Sequence, residues 1–439
     1  MSSFFLKKKI YEIKIIIYNN VMDSLEENID NNDLLKKESV CSYFQPIVCL
    51  RTGKIFAYEA LIRGIIPGSD KIVPPVDLFA AAEAQNKSLE FDKICQESAL
   101  QYFKDFKKQT ESLLFMNINT SLISSNKDFF EELHSLTHEM GFDPSAIGLE
   151  LIESRAKSAS DLTDFVKFQR DTGFLIVVDD FGCEHSNMER LIQIKPDIIK
   201  VDRSIISGIE KDEYRQSILK SIHNLAQMTG SLCLAEGVET EEEVLTCYMY
   251  GVDLFQGYAI ARPEFDLQIL QKKTKEKVQQ LRGKIKQTAV VMLRKKRGLT
   301  GDVNSLTDWL IRQITTDKID FMESVFQEFM IMNPEIESIY VLDEKGIQIS
   351  NTILSPFLRD MPRSYIFGPT KIGDDNSFKP YFVCFEAFNV NRYLSDPYLS
   401  IATGNIVRTL SVKLWNNLEN SYKILCIDFV EEVVKTPIP

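Results

Sequence analysis

The sequence predicts an α/β protein: a TIM-like (β/α)8 barrel, then a helical linker and a smaller α+β domain. Three observations carry this. Over residues 40–262, short β-branched runs alternate with longer segments whose apolar residues fall at helical spacing, the pattern of strands joined by helices. Eight such runs occur, enough to close a ring. After residue 306 a helical stretch gives way to strands separated by turn residues, as in an antiparallel sheet.

The strand runs are residues 42–49, 55–62, 113–117, 146–151, 175–179, 197–201, 231–235 and 252–258. Between them, residues 75–108, 127–140, 160–172, 212–229 and 241–250 have helical spacing bounded by caps or breakers. Residues 1–39 are expected to be a disordered extension; Met22, ahead of an acidic stretch, is the expected natural start in place of Met1. Lys7-Lys-Lys9 precedes an apolar stretch that Glu12 and Lys14 interrupt, so neither a signal peptide nor a membrane span is expected.

Residues 263–305 read as a linker helix. Its Arg294-Lys-Lys-Arg297 run is a solvated face, and its stripe Leu267, Leu270, Val278, Leu281 and Ile285 is expected to pair with a partner helix in a homodimer. In residues 306–439, helix over 306–332 precedes a hairpin of 338–342 and 347–351 around Asp343-Glu-Lys-Gly346, with further strands at 381–385, 407–414 and 423–429. This part reads as a sensory or dimerisation module.

The chain has 439 residues, 51 basic and 63 acidic, for a net charge of -12, which argues against a nucleic-acid polymer or an anionic membrane as its partner. The eight cysteines include no CxxC pair in a chain too large to need stapling, so reduced thiols and a cytoplasmic location are expected.

Glu59, Asn117, Glu150, Asp179 with Asp180, Lys200, Glu236 and Gln256 all fall near the C-terminal ends of strand runs. In a (β/α)8 barrel those ends share one face, where active sites are built. Singly, each has a plain structural reading: an aspartate caps a helix, a lysine snorkels, a glutamate is solvated. Together they form a set of oxygen donors suited to Mg²⁺, Mn²⁺ or Ca²⁺, with one lysine. Two such cations about 3.5–4 Å apart clamp a phosphodiester and activate water. Adjacent aspartates on a strand project in different directions, so Asp179 and Asp180 suit different metals or a bridge.

Tyr58-Glu-Ala-Leu-Ile-Arg63 resembles the signature of EAL domains, the cyclic di-GMP phosphodiesterases. Phe44-Gln-Pro-Ile47, Met116-Asn-Ile-Asn119, Glu150-Leu-Ile-Glu153, Asp179-Asp-Phe-Gly182, Ile199-Lys-Val-Asp202, Ala235-Glu-Gly-Val-Glu239 and Phe255-Gln-Gly-Tyr258 resemble its successive motifs, in order. The resemblance implies that Glu59, Asn117, Glu150, Asp179, Asp180 and Glu236 hold two metals, Mg²⁺ or Mn²⁺, with Ca²⁺ an inhibitory occupant. It implies that Lys200 engages the attacking water, that Gln45, Arg63, Gln256 and Asp202 serve the substrate, and that Glu153 braces the loop after the aspartate pair. The implied reaction opens cyclic di-GMP to the linear dinucleotide.

One departure stands out. Active members continue Asp-Asp-Phe-Gly with a small residue, glycine, an aromatic and serines, whereas this chain has Cys183-Glu-His-Ser-Asn187. The loop makes a nucleotide receptor with weak or no hydrolysis the competing expectation. Cys183 and His185 lack the companions a soft-metal site needs, and His134, His138 and His223 fall in helical segments. The C-terminal part resembles more loosely the PAS-like domain that accompanies some EAL domains, and Cache-type sensors, through Arg392-Tyr-Leu-Ser-Asp-Pro-Tyr-Leu-Ser400, Ala402-Thr-Gly404 and Arg408-Thr-Leu-Ser411. That likeness implies an unknown small ligand and regulation of the barrel.

Overall fold

The computed structural model describes residues 34–66, 72–108, 110–125, 129–152, 158–183, 188–314, 319–358, 368–400, 402–416 and 421–430. The chain forms two compact units that divide between Ala289 and Val290. The first contains, in order, β1 (Val40–Cys49), β2 (Lys54–Ile65), β3 (Ile72–Val73), α1 (Pro75–Ala84), α2 (Ser88–Lys107), β4 (Leu113–Ile118), α3 (Phe129–Glu139), β5 (Ile147–Ile152), α4 (Ala159–Asp171) and β6 (Leu175–Phe181). It continues through α5 (Met188–Ile194), β7 (Ile198–Val201), α6 (Arg203–Ile206), α7 (Glu213–Thr229), β8 (Leu232–Ala235), α8 (Glu241–Met249), β9 (Leu254–Phe255) and the start of α9 (Leu267–Gln313).

Eight of these strands close a ring, with β3 a short addition on the edge of β2. Pairings from β2 through β9 are parallel, but β1 is antiparallel to both neighbours, so the barrel is not the all-parallel ring that the alternating pattern predicts. The reason is local. Only residues 50–53 join β1 to β2, too few for a crossover helix, and Gly53 takes φ 76° to make the turn. The predicted helix over 75–108 is broken at Asn86, in the left-handed region, while α5 and α6 were not predicted.

The inner layer of the ring includes Ile47, Ala57, Phe115, Val177, Ile198, Leu234 and Leu254, all at most 1 % exposed. Side chains on the other face of the same strands meet the helices in a larger core. That core also takes Leu267, Leu270, Val278, Leu281 and Ile285 of α9, so the stripe expected to pair with a partner chain is covered by this chain's own barrel. Residues 1–33 of the expected extension lie outside the described residues; residues 34–39 are not disordered, because Leu34 and Leu35 are buried against Val40, Ile66 and Phe91. Among the described residues no helix is long and apolar enough to cross a membrane.

The second unit holds the end of α9, α10 (Ile319–Met332), β10 (Ile336–Leu342), β11 (Ile353–Leu354), α11 (Pro380–Phe388), β12 (Arg392–Leu394), β13 (Tyr398–Leu399), β14 (Ile406–Asn416) and β15 (Ser421–Val430). Its sheet is antiparallel, ordered β11-β10-β15-β14-β12, with β13 on β14. One expectation fails and another holds only in part. Residues 381–385 are helical, because Pro380 opens a helix that buries Tyr381, Cys384 and Phe385 at helical spacing. The hairpin expected around Asp343–Gly346 is present but short: Gln348 bridges Leu342 antiparallel, Asp343 N–H donates to the Ile347 carbonyl and Ile349 N–H to the Val341 carbonyl, while the rest of β10 pairs with β11.

Candidate active site

The parallel strands end on one face of the barrel, and the polar residues at those ends converge there. Lys200 of β7 is completely buried. Its ammonium lies 3.0 Å from Glu150 Oε1, 3.1 Å from Asp179 Oδ1, 3.4 Å from Glu236 Oε2 and 3.6 Å from Glu59 Oε2. Glu59 accepts from Asn117 Nδ2 at 2.9 Å and from Gln256 Nε2 at 2.5 Å. Gln256 also donates to Gln45 Oε1, and Gln45 donates to the Ala261 carbonyl. Seven of the predicted residues and Gln45 are thus linked directly, and Asp180 joins them beside Asp179 and Glu236.

Crowding sets the charges. Burial and the neighbouring Glu59 push the Glu150 carboxyl well up, against the pull of Lys200. Burial likewise raises Glu236, to about 8, despite Lys200 and with help from Asp179 and Glu59. For Glu59 burial acts upward but is outweighed by Lys200 and the bonds from Gln256 and Asn117, and its pKa falls. Burial would lower Lys200, yet the surrounding carboxylates raise it well above the ordinary lysine value.

Asp179 and Asp180 do not diverge as adjacent strand residues should. The pairing of β6 with β7 is irregular between Val178 and Phe181, and Asp180 takes φ 55°. This bulge turns both carboxylates the same way: oxygens of Asp179, Asp180 and Glu236 all lie within 4.8 Å of one another. Gly257 serves the same mouth. A Cβ there would stand 2.1 Å from the Val238 carbonyl, so only glycine lets the end of β9 press against the loop that carries Glu236.

Other predicted residues stand apart. Arg63 donates to the Ile62 carbonyl and lies 5.8 Å above the Tyr43 ring, outside the carboxylate cluster. Asp202 caps α6 through Ser204 N at 2.8 Å. Glu153 and residues 184–187 lie outside the described residues. Cys183 is exposed, and both its amide and its thiol bond to the Asp180 carbonyl.

Two supporting carboxylates escaped the sequence reading. Glu243, 5 % exposed, accepts from the backbone of Glu239, Thr240 and Gly208 at 2.7, 3.1 and 3.0 Å. It thus ties the loop of Glu236 to the turn that follows Lys200 and α6. Its signal was the capping-box spacing Thr240 to Glu243. Asp92 of α2, pushed up to about 7 by burial, is bonded by Gln96 and by the backbone of Asn119, two residues past Asn117. No sequence pattern announced it.

The residues fit divalent cations. Both oxygens of Glu150, Asp179 Oδ1 and Glu236 Oε2 are buried without a well-directed hydrogen bond, although the Lys200 ammonium stands 3.0–3.4 Å from three of these four oxygens. Four carboxylates around a single ammonium leave excess negative charge, and every donor is a hard oxygen.

A family model described as "EAL domain" matches residues 26–263, more than half of the chain. The EAL-domain protein YkuI of Bacillus subtilis is 24 % identical over 392 residues, covering 87 % of this chain and 94 % of that protein. RocR of Pseudomonas aeruginosa, named a cyclic di-GMP phosphodiesterase, is 29 % identical over 51 % of this chain and 57 % of its own length. PdeA of Escherichia coli, named a probable cyclic di-GMP phosphodiesterase, is 28 % identical over 56 % of this chain, which spans only 32 % of it. Among solved structures, YkuI with c-di-GMP and calcium aligns with a TM-score of 0.71 at 23 % identity, over 92 % of this chain and 100 % of that one, a likeness of fold that extends beyond the barrel.

Proposed function

Because the chain belongs to the EAL domain family, we propose that it hydrolyses one phosphodiester of cyclic di-GMP to the linear dinucleotide, using Mg²⁺ or Mn²⁺. The observation that carries this is the set of buried carboxylate oxygens without a well-directed hydrogen bond around Lys200. Relatives named as cyclic di-GMP phosphodiesterases support it. Glu59, Asn117, Glu150, Asp179, Asp180 and Glu236 are the proposed ligands. Bound divalent cations supply Lewis acidity, which lowers the pKa of a water and offsets phosphate charge.

The chain's own groups do the rest. Asn117 spends its amide N–H on Glu59, leaving its oxygen as a donor to a cation. Lys200, fixed by four carboxylates, orients the water and offers positive charge to the developing phosphorane oxygens. Gln256 holds Glu59 and is itself held by Gln45, and Arg63 offers a fork to a substrate phosphate. Regulation by a small ligand on the PAS-like C-terminal domain, a homodimer and a cytoplasmic setting complete the proposal.

A receptor that binds without turnover is the second reading. Its support lies in the sequence: Glu184 stands where the family pattern has glycine, whose backbone freedom a glutamate lacks. One assay separates the two: the full chain is incubated with cyclic di-GMP and Mn²⁺ or Mg²⁺ while bound nucleotide and linear product are followed together. Turnover that disappears in Glu59→Ala supports the enzyme; binding without product, at protein concentrations near those of the substrate, replaces it with the receptor.

A further inference from the structure

The C-terminal unit has a cleft of about 530 Å³ whose lining is lopsided in charge. Arg312 of α9, Arg392 of β12 and Lys413 of β14 bring three cations, against the single carboxylate of Asp308. Asp308 is taken up by Arg392 at 2.5 Å. Among the described residues no carboxylate lies within ion-pair distance of Lys413. Its ammonium instead sits 4.8 Å from the Tyr422 ring centroid, 5.2 Å from Phe385 and 6.0 Å from Trp415. Trp415 adds an indole that is 53 % exposed, although it lies beside the buried Val412 at the sheet surface.

We propose that this cleft binds a mononucleotide, with its phosphate between Arg312 and Lys413 and its base stacked on Trp415. A phosphate monoester carries about −1.5 to −2 charges near neutral pH, which answers the local excess of cations. Guanidinium forks match phosphate oxygens, and an exposed indole is a stacking platform for any base. The volume falls within the roughly 300–1,000 Å³ of small-ligand sites. A polymer is disfavoured by the chain's net charge of -12, while a small anion meets only the local field. The site lies wholly in the second unit and is independent of the chemistry proposed for the barrel.

The test uses an optical accident. The chain has two tryptophans, Trp309 and Trp415, and both belong to this unit. In full-length Trp309→Phe protein the red-edge tryptophan emission therefore reports Trp415 alone. Titration with guanosine 5′-monophosphate is expected to quench it saturably, with guanosine and inorganic phosphate each at least about ten-fold weaker. Lys413→Gln and Arg312→Gln should each weaken the nucleotide by about ten-fold or more, while Glu59→Ala in the barrel leaves it unchanged. Absence of saturable quenching, equal quenching by guanosine, or titrations unchanged in both cleft variants would overturn the site.

Discussion

Both units bury carboxylates, and they treat them in opposite ways. In the barrel, Glu59, Glu150, Asp179 and Glu236 crowd one ammonium, and several of their oxygens receive no well-directed hydrogen bond. In the C-terminal unit, Asp428, 4 % exposed, accepts from Ser338 Oγ at 2.5 Å, Thr409 Oγ1 at 2.7 Å and Tyr398 OH at 3.5 Å. Neutral hydroxyls complete one acid within the fold; the other group is completed only by added positive charge. The difference separates a structural buried acid from a cation site more sharply than burial does.

The largest effect should come from removing the one ammonium. Lys200→Met leaves its four carboxylates facing each other, and without divalent cation the barrel should lose about 3–5 kcal/mol in urea unfolding, with Mn²⁺ restoring much of it. An unchanged midpoint would mean the carboxylates relax apart and the comparison fails.

Asp428 is next. Burial first, then Glu337, pushes its pKa up to about 6, against the pull of the hydroxyls. An unfolded aspartate titrates near 3.9, so between these values the folded state holds the proton more tightly and stability must fall as pH rises. The fall amounts to about 3 kcal/mol, complete above pH ~6. Asp428→Asn should make the stability profile between pH 4 and 6 less steep, the remaining slope coming from Asp92 and Glu236; an identical slope in the variant places the titration elsewhere.

Cation addition comes third: Mn²⁺ at about 100 times its dissociation constant should stabilise the wild type by about 2.7 kcal/mol. Glu150→Ala should abolish that increment while making the cation-free protein more stable, an inversion that calorimetry can detect. Smallest is the pair Glu243→Gln and Thr240→Ala. Both weaken the α8 cap by about 1 kcal/mol, but only the first presents an amide N–H to backbone donors that hold the Glu236 loop, so only it should lower kcat, by about ten-fold. Equal kcat in the two variants would reduce Glu243 to a helix cap.

The constellation was legible because most of its members lie at or just past the C-terminal ends of strands, which the ring brings together, although Glu59 sits in the middle of β2; nothing about Lys200 alone announced it. What stayed hidden depends on backbone detail. The left-handed Asp180 turns two neighbouring carboxylates the same way, whereas strand alternation predicts divergence. The antiparallel entry of β1 hangs on a four-residue turn that an alternating pattern does not weigh. Residues 381–385 suited either a strand or a helix, and only Pro380 and the sheet beneath decided between them. The α9 stripe showed that an apolar face exists, but its periodicity held no information on whether this chain or another covers it.

The seam of the ring governs when the site can exist. β1 folds onto β2 through a short turn, an early and local event, but its other edge meets Val48–Phe255 and the Phe44–Glu264 bridge. The Gln256–Gln45 bond, 211 residues apart in sequence, crosses that seam, and Gln256 reaches over it to Glu59. Contacts so distant along the chain carry a high loop-closure entropy. The brace that Gln256 gives Glu59 therefore exists only when the ring is closed, so the charge balance around Lys200 depends on a join between the two ends of the barrel sequence.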